Sequence, residues 1–261
     1  MRYLHKLVVF IFVILFYGLQ THSLYSQGFD WVTDVRMPSK APVVFGGINV
    51  YAAYSFISTN GLQSTVTPLC GLYNEGYGQA LGGSARVELW NASGLSSWIF
   101  NLGLEKRSFF FEDDRTFLTR DGTTETQYMY KFVLQSSATI IFADCLYKYR
   151  ISGSHFHGAV GVTANFSLIK NTNQYGEIIA PEDKVSREDF GSAADMGVST
   201  LLVIPKIQLG YDLDMGNTMY ATPYVAIGIP LSSSLMNDQV RTFDVCAGVA
   251  IQYALPWFAW H

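Results

Sequence analysis

Charge is scarce in this sequence. Asp, Glu, Lys and Arg make up 15% of its 261 residues, against roughly 25% in soluble domains, which leaves little material for an ordinary hydrated surface. Long apolar runs are missing too. After the first segment no stretch approaches the ~20 consecutive apolar residues of a membrane-crossing helix, so the 49% hydrophobic content is dispersed along the chain. Cysteine is scarce: Cys70, Cys145 and Cys246 are odd in number and lack metal-ligand spacing, which argues against a disulfide framework. No cysteine lies near residue 26, which argues against an acylated lipoprotein start. There is no basic excess either. Of 17 Lys and Arg against 21 Asp and Glu, Arg2 and Lys6 fall in a removable leader, and an acidic remainder argues against nucleic acid as a partner.

What is present begins with that leader. Arg2, His5 and Lys6 open the chain, Leu7 to Leu19 is apolar, and the small residues Ser23 and Ser26 follow, the layout of a secretory signal peptide. Cleavage is expected after Ser26. This divides the chain into a signal peptide over 1–26, a periplasmic N-terminal segment over 27–43 and one β domain over 44–261.

From Val44 onward the dominant period is two, which sends alternate side chains to opposite faces of a strand. Phe156, Gly158, Val160, Val162, Ala164, Phe166 and Leu168 alternate with His155, His157, Ala159, Gly161, Thr163, Asn165 and Ser167. Ile48, Val50, Ala52, Tyr54 and Phe56 stand against Gly47, Asn49, Tyr51, Ala53 and Ser55 in the same way. About eight such strands are expected. One strand is untidy, because Ile140, Phe142 and Leu146 share the parity of Asp144, Lys148 and Arg150. Tyr128 to Leu134 is read as part of that overlong strand, projecting beyond a membrane, in preference to an extra hairpin.

Loop lengths sort by end. The connections at 91–95, 152–154 and 213–217 are brief and rich in Gly, Asn and Ser. Long loops are expected over 59–81, 108–127 and 170–198. Short periplasmic turns facing longer external loops are the outer-membrane barrel arrangement.

Three patterns orient the two faces. Trp98, Phe100, Tyr147, Tyr149, Phe156, Tyr211 and Tyr253 lie on the greasy parity beside the short turns, as an interfacial aromatic girdle does. Phe56, Phe166 and Phe243 fall on the same parity at the far strand ends. The polar parity mixes small residues with both charges, and Arg86, Glu88, Glu105, Arg107, Asp144, Lys148, Lys206 and Asp244 are expected to form a lumen charge network, since an eight-stranded barrel is just wide enough for its interior to be filled. The fold class is therefore all-β: an antiparallel up-and-down transmembrane β-barrel of about eight strands.

With its leader, the Phe45-Gly-Gly-Ile-Asn49 opening and alternating strands with sorted loops, the chain resembles the small outer-membrane barrel families, the OmpA-like transmembrane domains and the PorT-like barrel proteins, over about 44–253. The resemblance implies insertion by the barrel-assembly machinery and, for the PorT-like case, a part in secretion or envelope biogenesis. The residues after Tyr253 depart from the usual aromatic terminus.

Candidate chemistry is weak. His155 and His157 are expected to share the lumen face, but with Asp144 or Asp212 they show no recognisable metal spacing. Ser152, Ser154 and His155 read as turn chemistry more readily than as parts of a lipid-modifying enzyme. Glu112, Asp113, Asp114, Glu182, Asp183, Glu188 and Asp189 read as solvated loop charge. No catalytic residue, cofactor or metal site is assigned. The expected role is structural or interactive: contact with outer-membrane lipid around the barrel, and with surface proteins or lipopolysaccharide through the external loops.

Overall fold

The computed structural model describes residues 44–63, 72–91, 94–121, 124–152, 154–180, 187–192, 201–215, 219–231 and 240–255. The leader, the 27–43 segment, Cys70, Glu182, Asp183 and the last six residues lie outside them.

The described chain is strand and turn: β1 (Val44–Gln63), β2 (Leu72–Trp90), β3 (Ser96–Asp121), β4 (Thr124–Arg150), β5 (Phe156–Ala180), β6 (Arg187–Ser192), β7 (Leu201–Tyr211), β8 (Leu213–Asp214), β9 (Met219–Gly228) and β10 (Val240–Ala254). Every pairing is antiparallel, and β10 pairs with both β9 and β1, which closes the ring. Eight strands make the wall. β8 continues β7 against β9, and β6 adds to the far part of β5.

The register fixes the shape. A walk from Phe45 through its successive partners Glu88, Ile99, Leu146, Gly161, Lys206, Gly228 and Asp244 returns to β1 at Ser55, ten residues along. With strands ~4.8 Å apart and ~3.3 Å of rise per residue, that shear tilts the strands by roughly 40°, in the range that closed barrels need. Each residue then gains about 2.5 Å of height.

Alternation decides what faces where. Leu81, Leu102, Ile48 and Leu209 are more than 60% exposed on the outer wall, while Glu88, Lys148, Gln208 and Gln252 are at most 1% exposed inside. The barrel is thus inverted relative to a water-soluble one. Tyr54, Phe56, Tyr77, Phe110 and Phe243 ring the far end of the belt, with Tyr77 and Phe110 stacked at 5.2 Å. Some ten residues separate this ring from the girdle near the short turns, an apolar band about 25 Å tall.

Beyond the belt the structure corrects the loop reading. The 108–127 stretch is paired strand, with β3 and β4 in register from Ser96↔Tyr149 to Asp121↔Thr124. The 59–81 and 170–198 stretches also begin or end as strand. The reason is visible in the sequence: Phe109 and Phe111 continue the inward parity and meet Phe132 and Leu134 from β4, packed with Ile57, Tyr73, Ala138 and Ile140. Apolar burial keeps these strands together outside the bilayer. Residues 128–137 lie within the single strand β4, with register shifts at Met129/Tyr130 and Thr139/Ile140.

Two glycines test the wall. A Cβ at Gly161 would stand 2.0 Å from the Cys145 carbonyl oxygen, whereas one at the outward Gly158 would meet only Leu209 at 3.8 Å. Gly161→Ala is expected to destabilise the barrel by about 1–3 kcal/mol in denaturant titrations, with Gly158→Ala within error of the wild type.

Candidate functional site

The described lumen side chains fall into three layers, two ionic and one apolar. They stack from the short-turn end to the far end.

The first layer centres on Asp212, which enters from the end of β7. Its carboxylate accepts from Lys148 Nζ at 2.8 Å, Arg150 Nη2 at 2.6 Å and Thr222 Oγ1 at 2.8 Å, with His157 Nδ1 3.4 Å away. Glu88 faces the same lysine at 3.0 Å and accepts from Ser97 and from the Tyr220 hydroxyl, each at 2.6 Å. That hydroxyl has one proton to give. Its 2.9 Å contact with the Gln252 amide is therefore best met by turning the amide so that the NH2 donates. Trp90 closes the floor, with Lys148 Nζ 4.9 Å and Arg150 Cζ 4.4 Å from its ring. Such cation–π contacts strengthen when desolvated.

The second layer is built around Arg107. Its guanidinium bridges Glu105 at 2.6 Å and Asp244 at 2.9 Å, and Glu105 also accepts from Tyr51 at 2.6 Å. Lys206 reaches Asp144 at 3.3 Å, and Asn101 donates to the same carboxylate oxygen at 3.1 Å. A cavity of about 40 Å³ lies among Glu105, Arg107, Thr163, Asn165, Lys206 and Asp244. That is enough for a few waters among groups able to hold them. The third layer is the apolar cluster of Phe109, Phe111, Phe132 and Leu134 beyond the belt.

All eight residues expected in the lumen network face inward: Arg86, Glu88, Glu105, Arg107, Asp144, Lys148, Lys206 and Asp244. Asp212 and Arg150 join them, which the expected set omitted. With these two, the described lumen carries five cations (Arg86, Arg107, Lys148, Arg150, Lys206) and five anions (Glu88, Glu105, Asp144, Asp212, Asp244). Balance matters here, because an uncompensated charge in such a space costs several kcal/mol. Arg86 is the least satisfied member. Its nearest carboxylate is Glu88 at 3.6 Å, and none of its three nitrogens has a hydrogen-bond partner within the protein.

The histidines separate. His157 is buried in the lumen, but His155 precedes β5, where its carbonyl accepts from the Asp212 amide, and its ring lies 5.6 Å from Tyr211 on the outer side. The expectation that both share the lumen face fails because strand alternation begins only at Phe156. Ser154 Oγ accepts from the Phe156 amide at 2.9 Å, an ordinary turn contact. Among the described residues no group of three or more His, Cys, Asp or Glu has a metal-holding arrangement. Cys145 and Cys246 are free thiols. Beyond the belt, Lys131 pairs with Glu112 at 2.8 Å, and this hydrogen-bonded carboxylate raises the lysine pKa above its ordinary value.

The girdle residues Trp98, Phe100, Tyr147, Tyr149, Phe156, Tyr211 and Tyr253 all stand on the outer wall. Trp98 meets Tyr147 edge-on at 5.0 Å, and Phe156 meets Tyr211 at 4.8 Å. A closed antiparallel ring with its ions inside and its apolar side chains outside defines the class: a transmembrane β-barrel of eight strands.

No protein-family model and no curated protein matches the chain. Solved structures to which it is similar include Neisserial surface protein A (TM-score 0.31, 10% identity, covering 81% of this chain and 97% of that one). The attachment invasion locus protein Ail of Yersinia pestis gives a TM-score of 0.30 at 11% identity, over 80% of this chain and 97% of that one. The outer membrane protein AlkL, solved in lipid bilayers, gives 0.36 at 13% identity, over 84% and 93%. Overlaps this loose carry no argument about function, and the fold stands on the strand register.

Arg107 bridges two carboxylates, so its loss is worse than the loss of either partner. Arg107→Met is expected to cost about 3–5 kcal/mol. Glu105→Gln, which leaves the Arg107–Asp244 pair intact, is expected to cost about 1–3 kcal/mol. Urea titration of the two variants in detergent micelles measures the difference, and equal losses would contradict the bridging geometry.

Proposed function

We propose that this chain is an outer-membrane protein, exported by its 1–26 leader and inserted by the barrel-assembly machinery, that serves as a rigid anchor presenting a surface for contact with other molecules outside the cell. The observation that carries the reading is the extension of paired strand past the apolar belt. From Phe111 to Asp121, β3 continues in register with β4 for roughly 25 Å at the rise of a tilted strand, and β6 widens the projection through β5. Past the Gly76↔Phe111 pair, β3 has no partner on its β2 side among the described residues. That edge carries Glu112, Asp113, Asp114 and Arg115, and such charges discourage unselective strand addition. A projection held by its own apolar core presents its outer residues in fixed positions, which suits recognition of a surface protein.

The lumen argues for a scaffold over a pore. Ion-paired layers and an apolar plug fill a ring of eight strands, in contrast to the water-filled interior of porins with 16–18.

Trimming the hairpin at the Asp113↔Phe132 pair and closing it with Asn-Gly tests the reading. The shortened protein should still fractionate with the outer membrane and migrate differently on gels with and without boiling, while cross-links to surface proteins on intact cells fall at least tenfold. Unchanged cross-linking would overturn the proposed role of the projection, and a soluble, heat-insensitive product from the full chain would overturn the membrane reading itself.

A further inference from the structure

The outer wall is not uniformly convex. A concavity of about 840 Å³ opens on the lower half of the apolar belt, across β4, β5, β7, β9 and β10. Its depth comes from small outward residues among large ones: Gly158 lies between its pairing partners Tyr149 and Leu209, and Pro223 and Ala247 lie beside Val225 and Val249. The rim is formed by Tyr147, Tyr149, Phe156 and Tyr211 of the girdle.

The groove overlies the shortest join in the wall. β7 and β9 pair only over Lys206–Gly210, and pairing resumes at Leu213↔Ala221 in β8. Pro223 stands at the interruption and has no N–H to give.

Its position selects the occupant. Height along the tilted strands places the floor within the belt and the rim at the girdle, where chain and headgroup of a bilayer lipid meet. The tyrosine hydroxyls suit that boundary, since an aromatic ring with a polar tip favours it. His155, outside the lumen and against Tyr211, sits at the same end with a ring nitrogen able to donate to a phosphate. The volume lies within the ~300–1,000 Å³ range of small-molecule sites.

We propose that this groove is a binding site for one phospholipid of the periplasmic leaflet, its acyl chain over Gly158 and Pro223 and its phosphate at the girdle beside His155. The site rests on the membrane reading above but goes beyond it, because ordinary belt lipid exchanges without preference.

The full chain reconstituted in vesicles of phosphatidylethanolamine and phosphatidylglycerol, released into mild detergent and weighed by native mass spectrometry, provides the test. Wild type should retain one phospholipid. Gly158→Trp, which fills the floor from the open side, should lose at least four-fifths of it, and Leu104→Trp, an equal bulk elsewhere on the belt, should retain it. His155→Ala should keep chain binding but shift the ratio of the two retained lipids at least threefold. Retention equal in wild type and Gly158→Trp, or absent from a wild type that floats with the vesicles, would overturn the site and leave the barrel reading standing. A wild type that fails to float would overturn both.

Discussion

Backbone hydrogen bonding in a medium without water is the constraint on which this structure depends. Inside a bilayer an unpaired N–H or C=O costs several kcal/mol, and a sheet survives there only if it has no edge. The return of β10 to β1, in register from Phe45↔Ala254 to Thr59↔Val240, removes that edge. Shear, tilt and lumen width then follow from geometry. A shear of ten residues over eight strands leaves an interior too narrow for bulk water and wide enough for side chains.

The charges follow from closure. Once the polar parity is enclosed it has no bulk solvent to lean on, and each ion must find its counter-ion within the lumen. Asp212 serves Lys148 and Arg150 from β4, while Arg107 on β3 serves Asp244 on β10. These pairs join strands distant in sequence. They are weak evidence for added stability, since desolvation offsets most of the attraction, but a wrong register would separate them and leave charges bare. Their effect is on which barrel forms more than on how firmly it holds.

Much of this was legible from residues alone, because period two is a direct consequence of strand geometry. The inward placement of Arg86, Glu88, Arg107 and Lys206 could be read from parity, as could the outward girdle. Asp212 and Arg150 also fall on the polar parity, yet parity alone does not bring them into the network; their clustering with Lys148 appears only when β4 and β7 are brought to either side of β5. His155 shows the opposite failure, a parity extended one residue past the point where the strand begins. The far strands read as loops because paired strand past the belt lengthens the connections at that end just as long external loops would. Phe109, Phe111, Phe132 and Leu134 at alternate positions were the available signal, and the untidy apolar residues of β4, Ile140 and Phe142, were its continuation into the lumen.

The apolar cluster at the head of β3 and β4 sits beyond the lipid, and that position bears on how the chain reaches its final form. These two strands are adjacent in sequence, joined at Asp121 and Thr124, so their contacts are local and quick to make. Most of the wall can gain nothing from burial until hydrocarbon surrounds it. This hairpin carries an apolar face that lipid does not need to cover, and so has reason to zip in water first and to enter the membrane as a preformed stave, its cluster completed when Ile57 of β1 and Tyr73 of β2 pack onto it.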